Sequence, residues 1–81
     1  MQHFLKTWPQ YFCDVKRGKK TFEFRQNDRH FQIGDILTLQ EYDPIDKTYT
    51  GANKDFKVTY ILTECPGLPI GYCIMSILPI E

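Results

Sequence analysis

Two hydrophobic periods alternate along the chain, and the switches between them mark out its elements. His3-Phe4-Leu5-Lys6 has apolar content for a short first strand. Trp8, Tyr11, Phe12 and Val15 then recur at the i, i+3, i+4, i+7 spacing of one helical stripe, which predicts a helix from about Trp8 to Arg17. Thr7-Trp8-Pro9-Gln10 has the form of a capping box, with Pro9 in the first turn where a missing amide costs least. Gly18 supplies the left-handed stop after Lys16 and Arg17. The period then falls to two. In Gly18-Lys19-Lys20-Thr21-Phe22-Glu23-Phe24-Arg25 the phenylalanines share one strand face, while Thr21, Glu23 and Arg25 share the other. The expectation is that Phe22 and Phe24 are buried and the charged row faces solvent.

Gln26 to His30 is a polar loop, and Phe31-Gln32-Ile33-Gly34-Asp35 is a turn leading into a strand, Ile36 to Tyr42, with Leu37 and Leu39 on one face. Asp43 to Lys47 is a turn cluster, and Thr48 to Gly51 returns the chain as a loose hairpin toward Asp55. Phe56, Val58, Tyr60 and Leu62 form the apolar face of a long central strand. Cys65 to Gly71, with its prolines and glycines, is a loop, and Tyr72 to Leu78 is an almost continuous apolar strand expected to be buried on both faces. The pattern predicts an α+β, mainly β chain: one domain over residues 1–81, with one helix near the N-terminus and about five strands in a small closed or nearly closed barrel whose opening the helix covers.

Composition narrows the class. A content of 42% hydrophobic and 15% aromatic residues supports a folded globule. No run approaches the ~20 apolar residues of a membrane span, and Met1 to Lys6 lacks the features of a secretory signal, so no membrane association is expected and the expected location is the cytoplasm. The three cysteines, Cys13, Cys65 and Cys73, fit neither a disulfide framework nor paired zinc ligands, and no metal or cofactor is expected. The net charge of zero hides segregation: Asp14 to His30 holds six basic and three acidic residues, and Phe31 onward holds three basic and seven acidic. That distribution offers one basic patch to an anion, although part of the run Lys16-Arg17-Gly18-Lys19-Lys20 is accounted for by the helix dipole.

The candidate chemistry lies in the same run. Glu23 and Arg25, two apart on one strand face and beside Lys20, can form an ion pair that holds an anionic or amide-bearing ligand. The plainer reading is a solvated pair contributing ~0.2 to 1 kcal/mol. The continuation Gln26-Asn27-Asp28-Arg29-His30 adds polar groups and favours a site. Trp8 reads as a core anchor before it reads as a stacking platform at a pocket mouth; the same choice applies to Tyr42 and Tyr60.

The helix ending in Gly18, the run Gly18 to Arg25 and the later Phe31-Gln32-Ile33-Gly34-Asp35-Ile36-Leu37 resemble the ASCH domain family, whose pattern is G-x-K-x-x-E-x-R followed by a G-D turn. His3 to Pro9, Asn27-Asp28-Arg29, Gln40 to Pro44 and the final strand look like a branch of short bacterial and phage proteins built from this domain alone. The resemblance implies a PUA-like β-barrel that binds RNA or modified bases in a cleft, with Gly18, Lys20, Glu23 and Arg25 lining it. Lys6, Trp8, Asp28 and Arg29, polar or aromatic residues in neighbouring stretches of the chain, are also expected to join the binding surface. Some small ASCH proteins are similar to amidohydrolases acting on N4-acetylcytidine through a lysine, a threonine and a distant glutamate. Here Lys20 matches the lysine, Glu23 stands at the threonine position, and Tyr72 to Leu78 offers no glutamate. Lys20 and Glu23 would be the catalytic pair of that reading. The expected functions are, in order, an RNA- or nucleotide-binding module, a small amidohydrolase of a modified nucleoside, and a protein-interaction domain with a vestigial cleft.

Overall fold

The alternation of the last strand sets the register of the whole sheet. The computed structural model describes residues 1–80, in the order β1 (Gln2–Thr7), α1 (Pro9–Lys16), β2 (Phe22–Gln26), β3 (Ile36–Asp43), β4 (Thr48–Leu62) and β5 (Tyr72–Pro79). The chain is mainly β, with one short helix and a five-stranded sheet in the order β1-β3-β4-β5-β2 that curls into a half-barrel. β1 and β3 are parallel, and the other pairs are antiparallel.

β5 buries Cys73, Met75 and Ile77 and turns Ser76 and Leu78 outward, so it has one core face where two were expected. In an antiparallel pair, directly opposed residues share a face. Glu23 opposes Met75 and Arg25 opposes Cys73, whereas Phe22 opposes Ser76 and Phe24 opposes Ile74. The register that buries the apolar side of β5 therefore turns Glu23 and Arg25 inward and leaves Phe22 and Phe24 46% and 48% exposed. This is the reverse of the orientation read from the alternation alone.

β4 is one fifteen-residue strand, and the expected loose hairpin at Thr48 to Gly51 is its first part. Phe56 and Val58 are buried as expected, but a register shift between Val58 and Tyr60 changes the phase of the strand. Beyond it Ile61 packs against the core, and Tyr60 is exposed.

The helical stripe divides. Phe12 and Val15 enter the core, while Trp8 and Tyr11 stay about half exposed. No capping box forms: Trp8 is the N-cap without a side-chain hydrogen bond, and Thr7, the last residue of β1, is buried with its hydroxyl directed to the Leu5 carbonyl. Pro9 in the first turn sets the backbone without that help. At the other end Gly18 adopts φ +79°, and the amides of Lys19 and Lys20 both donate to the Asp14 carbonyl.

The barrel is open between its two edge strands. β1 and β2 share no backbone ladder among the described residues; side chains bridge them instead. Arg25 Nη2 donates to the Lys6 carbonyl at 2.9 Å, and Arg29 Nη1 donates to the Phe4 carbonyl at 2.8 Å. Among the described residues no helix is long and apolar enough to cross a membrane, and no group of three or more His, Cys, Asp or Glu side chains stands together. Cys13 is half-buried, Cys65 exposed and Cys73 buried, and burial pushes the Cys73 thiol up.

Buried Asp35 ties the start of β1 to the turn before β3. Its carboxylate lies 2.9 Å from His3 Nε2, accepts from the Gln32 amide at 3.0 Å, and meets the Met1 amino group at 3.1 Å. His3 in turn packs edge-on against Phe31, with ring centroids 4.8 Å apart. Burial alone would raise the Asp35 pKa, but these donors and the nearby positive charge hold it below the ordinary carboxylate value. Because the folded-state pKa is the lower one, the contribution of Asp35 is complete above the ordinary carboxylate range and disappears as pH falls through the folded value. Asp35→Asn should cost about 1–3 kcal/mol near neutral pH, and its stability should decline less steeply on acidification than that of the parent. Urea unfolding across an acidic pH series measures both, and parallel curves would contradict the assignment.

Candidate functional site

The end of α1 and the start of β2 build a charged cluster around one carboxylate. The chain leaves Gly18 with the Lys19 and Lys20 amides tied back to Asp14, so Lys20 stands at the mouth of the half-barrel as β2 begins. Its Nζ donates to the Phe22 carbonyl at 2.8 Å and forms an ion pair with Glu23 Oε2. Arg25 holds the other oxygen, with Nε and Nη2 at 3.0 and 2.8 Å from Oε1. Through the same Nη2 it reaches the Lys6 carbonyl and the Thr7 hydroxyl, the latter at 3.4 Å.

Glu23 is only 2% exposed. An unpaired carboxylate at such a site would cost several kcal/mol, and the two cations satisfy both of its oxygens. The solvated surface pair expected from the sequence is replaced by a buried three-residue network.

Above this floor lies a cleft of about 470 Å³. Trp8 and Tyr11 stand on one side, stacked with ring centroids 6.4 Å apart and planes 18° from parallel. Phe22 and Phe24 line it from β2, and the Lys20 ammonium lies 5.0 Å from the Phe22 ring centre and 5.9 Å from that of Tyr11. Lys6 also lines the cleft, with its ammonium 4.5 Å over the Tyr42 ring. The lining therefore sets three cations against one carboxylate. Half-exposed aromatic faces accept a flat, unsaturated group, and Lys and Arg donors hold phosphate or carbonyl oxygens.

Of the residues singled out in the sequence, Lys6, Trp8, Lys20, Glu23 and Arg25 line this cleft. Gly18 shapes the end of the helix, Arg29 bridges the seam through Phe4, and Asp28 is exposed in the loop; none of the three belongs to the lining. Trp8, expected in the core, is a half-exposed wall. Tyr60 is exposed and does not line the cleft, and Tyr42 reaches it only through Lys6. Thr7, Tyr11, Phe22 and Phe24 were not anticipated as lining residues. The spacing of Tyr11 three residues after Trp8 was the available signal for one of them, since it puts both on the same side of the helix start, where they line the cleft with residues of β2.

Lys20 Nζ is committed to Glu23 and a carbonyl, and the inward positions of β5 are Cys73, Met75 and Ile77.

A family model described as "Domain of unknown function (DUF3850)" matches residues 2–77, which include every residue of the cleft. The chain is also similar to the "Uncharacterized 12.9 kDa protein in GpA 3'region" of Escherichia phage P2, with 37% identity over 57 residues. That match covers 70% of this chain and 50% of the phage protein, so the chain spans about half the length of the curated relative it matches.

The network predicts a stability effect that an exposed pair would not produce. Glu23→Gln leaves Lys20 and Arg25 facing each other without a counter-charge and should lower stability by about 1–3 kcal/mol. Lys20→Met should have a smaller effect because Arg25 retains its bonds to Oε1. Equilibrium denaturation of both variants is the check; an unchanged midpoint for Glu23→Gln would place the carboxylate in solvent.

Proposed function

Because the chain belongs to the family described as "Domain of unknown function (DUF3850)", its function has to be read from the cleft, and we propose that it is an RNA- or nucleotide-binding module. A base stacks between the rings of Trp8, Tyr11 and Phe22, and the floor of Lys20, Glu23 and Arg25 meets its polar edge or its phosphate. The observation that carries the reading is the grouping of four half-exposed aromatic residues around three cations and one carboxylate.

Stacking on aromatic faces provides sequence-tolerant affinity, and the excess of cations provides attraction to phosphate. The exposed Lys16, Arg17 and Lys19 at the end of α1 extend the positive field beside the cleft. The ASCH-like run Gly18 to Arg25 supports the same reading, since a PUA-like barrel carries its ligand in a cleft of this kind. Binding is preferred to hydrolysis of N4-acetylcytidine because Lys20 is already paired with Glu23 and β5 supplies no acid. It is preferred to a vestigial protein-interaction surface because the lining is charged and aromatic. The module would act in the cytoplasm, where RNA is available.

Calorimetric titration with uridine monophosphate and with short oligouridine, at low and moderate salt, tests the proposal. Binding should weaken as salt rises, and Trp8→Ala should reduce affinity about ten-fold through the loss of one stacking face, with little change in melting temperature. Absence of binding by either ligand at millimolar concentration would overturn the reading. Release of cytidine from N4-acetylcytidine that vanishes in Lys20→Arg would replace it with the hydrolase.

A further inference from the structure

The outer face of β2, β5 and β4 presents aromatic side chains that neither the core nor the floor of the cleft uses. Phe24 stacks on Tyr72 with ring centroids 5.4 Å apart and planes 22° from parallel. Phe22 and Tyr60 each oppose Ser76 from its two sides, so the rings of β2 and β4 flank a small residue on β5. Tyr60 is 58% exposed. Single exposed apolar residues are ordinary, but here Phe22, Phe24, Tyr60 and Tyr72 occupy neighbouring positions on one sheet face. Two features produce this face: the register that turns Glu23 inward, and the irregularity after Val58 that turns Tyr60 outward. It is continuous with the cleft, because Phe22 and Phe24 also line the cleft.

Resting on the reading of the cleft as a nucleotide site, we propose that this face is a second stacking platform, which takes the nucleotides of single-stranded RNA that adjoin the one held in the cleft. Charge sets the direction of the strand. Beyond Lys6 and Tyr42 a polyanion would meet Glu41 and Asp43 of β3 and Asp46 in the turn that follows, three acids against the single cation Lys47. On the β2 side the exposed Lys16, Arg17 and Lys19 precede Lys20 of the cleft in the chain and make the approach to β2 basic. Repulsion on one side and attraction on the other send the strand across β2 and β5, where flat rings accept any base. The cleft then serves as the anchor, and the platform adds affinity with strand length.

The test compares uridine monophosphate with oligouridines of increasing length up to an octamer, on the parent chain and on Tyr60→Leu and Tyr72→Leu, which alter the platform and substitute no cleft residue, although Tyr72 supports the ring of Phe24. The octamer should bind the parent at least about ten-fold more tightly than the monophosphate. Each variant should lose most of that gain while binding the monophosphate within about two-fold of the parent, a change too small for a lost stacking contact. Tyr60→Leu is the decisive variant, since its half-exposed side chain leaves the core packing intact. If the monophosphate binds but length adds nothing, or if the gain survives both substitutions, the platform is refuted and the cleft reading stands. If neither ligand binds, both fall. Concentration-dependent self-association in sedimentation that Tyr60→Leu abolishes, with no length-dependent gain, would assign the face to a second copy of the chain and also overturn the platform.

Discussion

The buried carboxylate of Glu23 is the constraint on which the functional end of this protein depends. Placing a charge away from water is tolerated only when its oxygens are satisfied by opposite charge and good hydrogen bonds. Here Lys20 satisfies one oxygen and Arg25 the other. Each cation is positioned by a different element. Lys20 follows the left-handed turn at Gly18, and Arg25 lies two residues beyond Glu23 on the same inward face of β2. The network therefore joins the end of the helix to the first edge of the sheet.

That network also explains why an open sheet is adequate. Edge strands with unpaired backbone groups invite pairing with other chains, and a half-barrel of five strands has two of them. In this protein the edges face each other across a seam that arginine side chains cross: Arg25 to the Lys6 carbonyl and Arg29 to the Phe4 carbonyl. A side-chain bridge holds the strands further apart than a backbone ladder would, and the room left beside it is the cleft. Closure by guanidinium groups thus stabilises the seam and, through Arg25, supplies one of the two cations of the floor.

At the other end of β1, Asp35 does similar work with different partners, gathering His3, the Gln32 amide and the Met1 amino group. The first strand is pinned at one end by a buried acid and at the other by a half-buried arginine bonded to its carbonyl. Between these anchors Leu5 joins Leu37, Leu39, Phe56 and Met75 in the core. The polar residues that a hydropathy pattern treats as surface are the ones that fix where β1 and β2 lie.

The strands and helix were legible in the sequence because they depend on local pattern: the helical stripe from Trp8 to Val15, the stop at Gly18, the period-two runs of Leu37 and Leu39 and of Phe56 and Val58, and the almost continuous apolar run Tyr72 to Leu78. The run Gly18 to Arg25 also drew attention to Lys20, Glu23 and Arg25 as one group, since Glu23 and Arg25 are two apart on one strand face and Lys20 stands at the strand's entry. Period two separates a strand into two faces but does not say which is inside. For β2 that choice was made by its pairing with β5, some fifty residues later, together with the two cations that make burial of Glu23 possible. Tyr60 changed sides because a bulge is invisible to any repeating pattern. Trp8 and Tyr11 left the core because the helix covers the barrel with only part of its stripe, and the seam beneath the remainder exists only once strands from both halves of the chain have met. Local spacing determined the elements and the composition of the site; the orientation of the site came from long-range pairing and charge compensation.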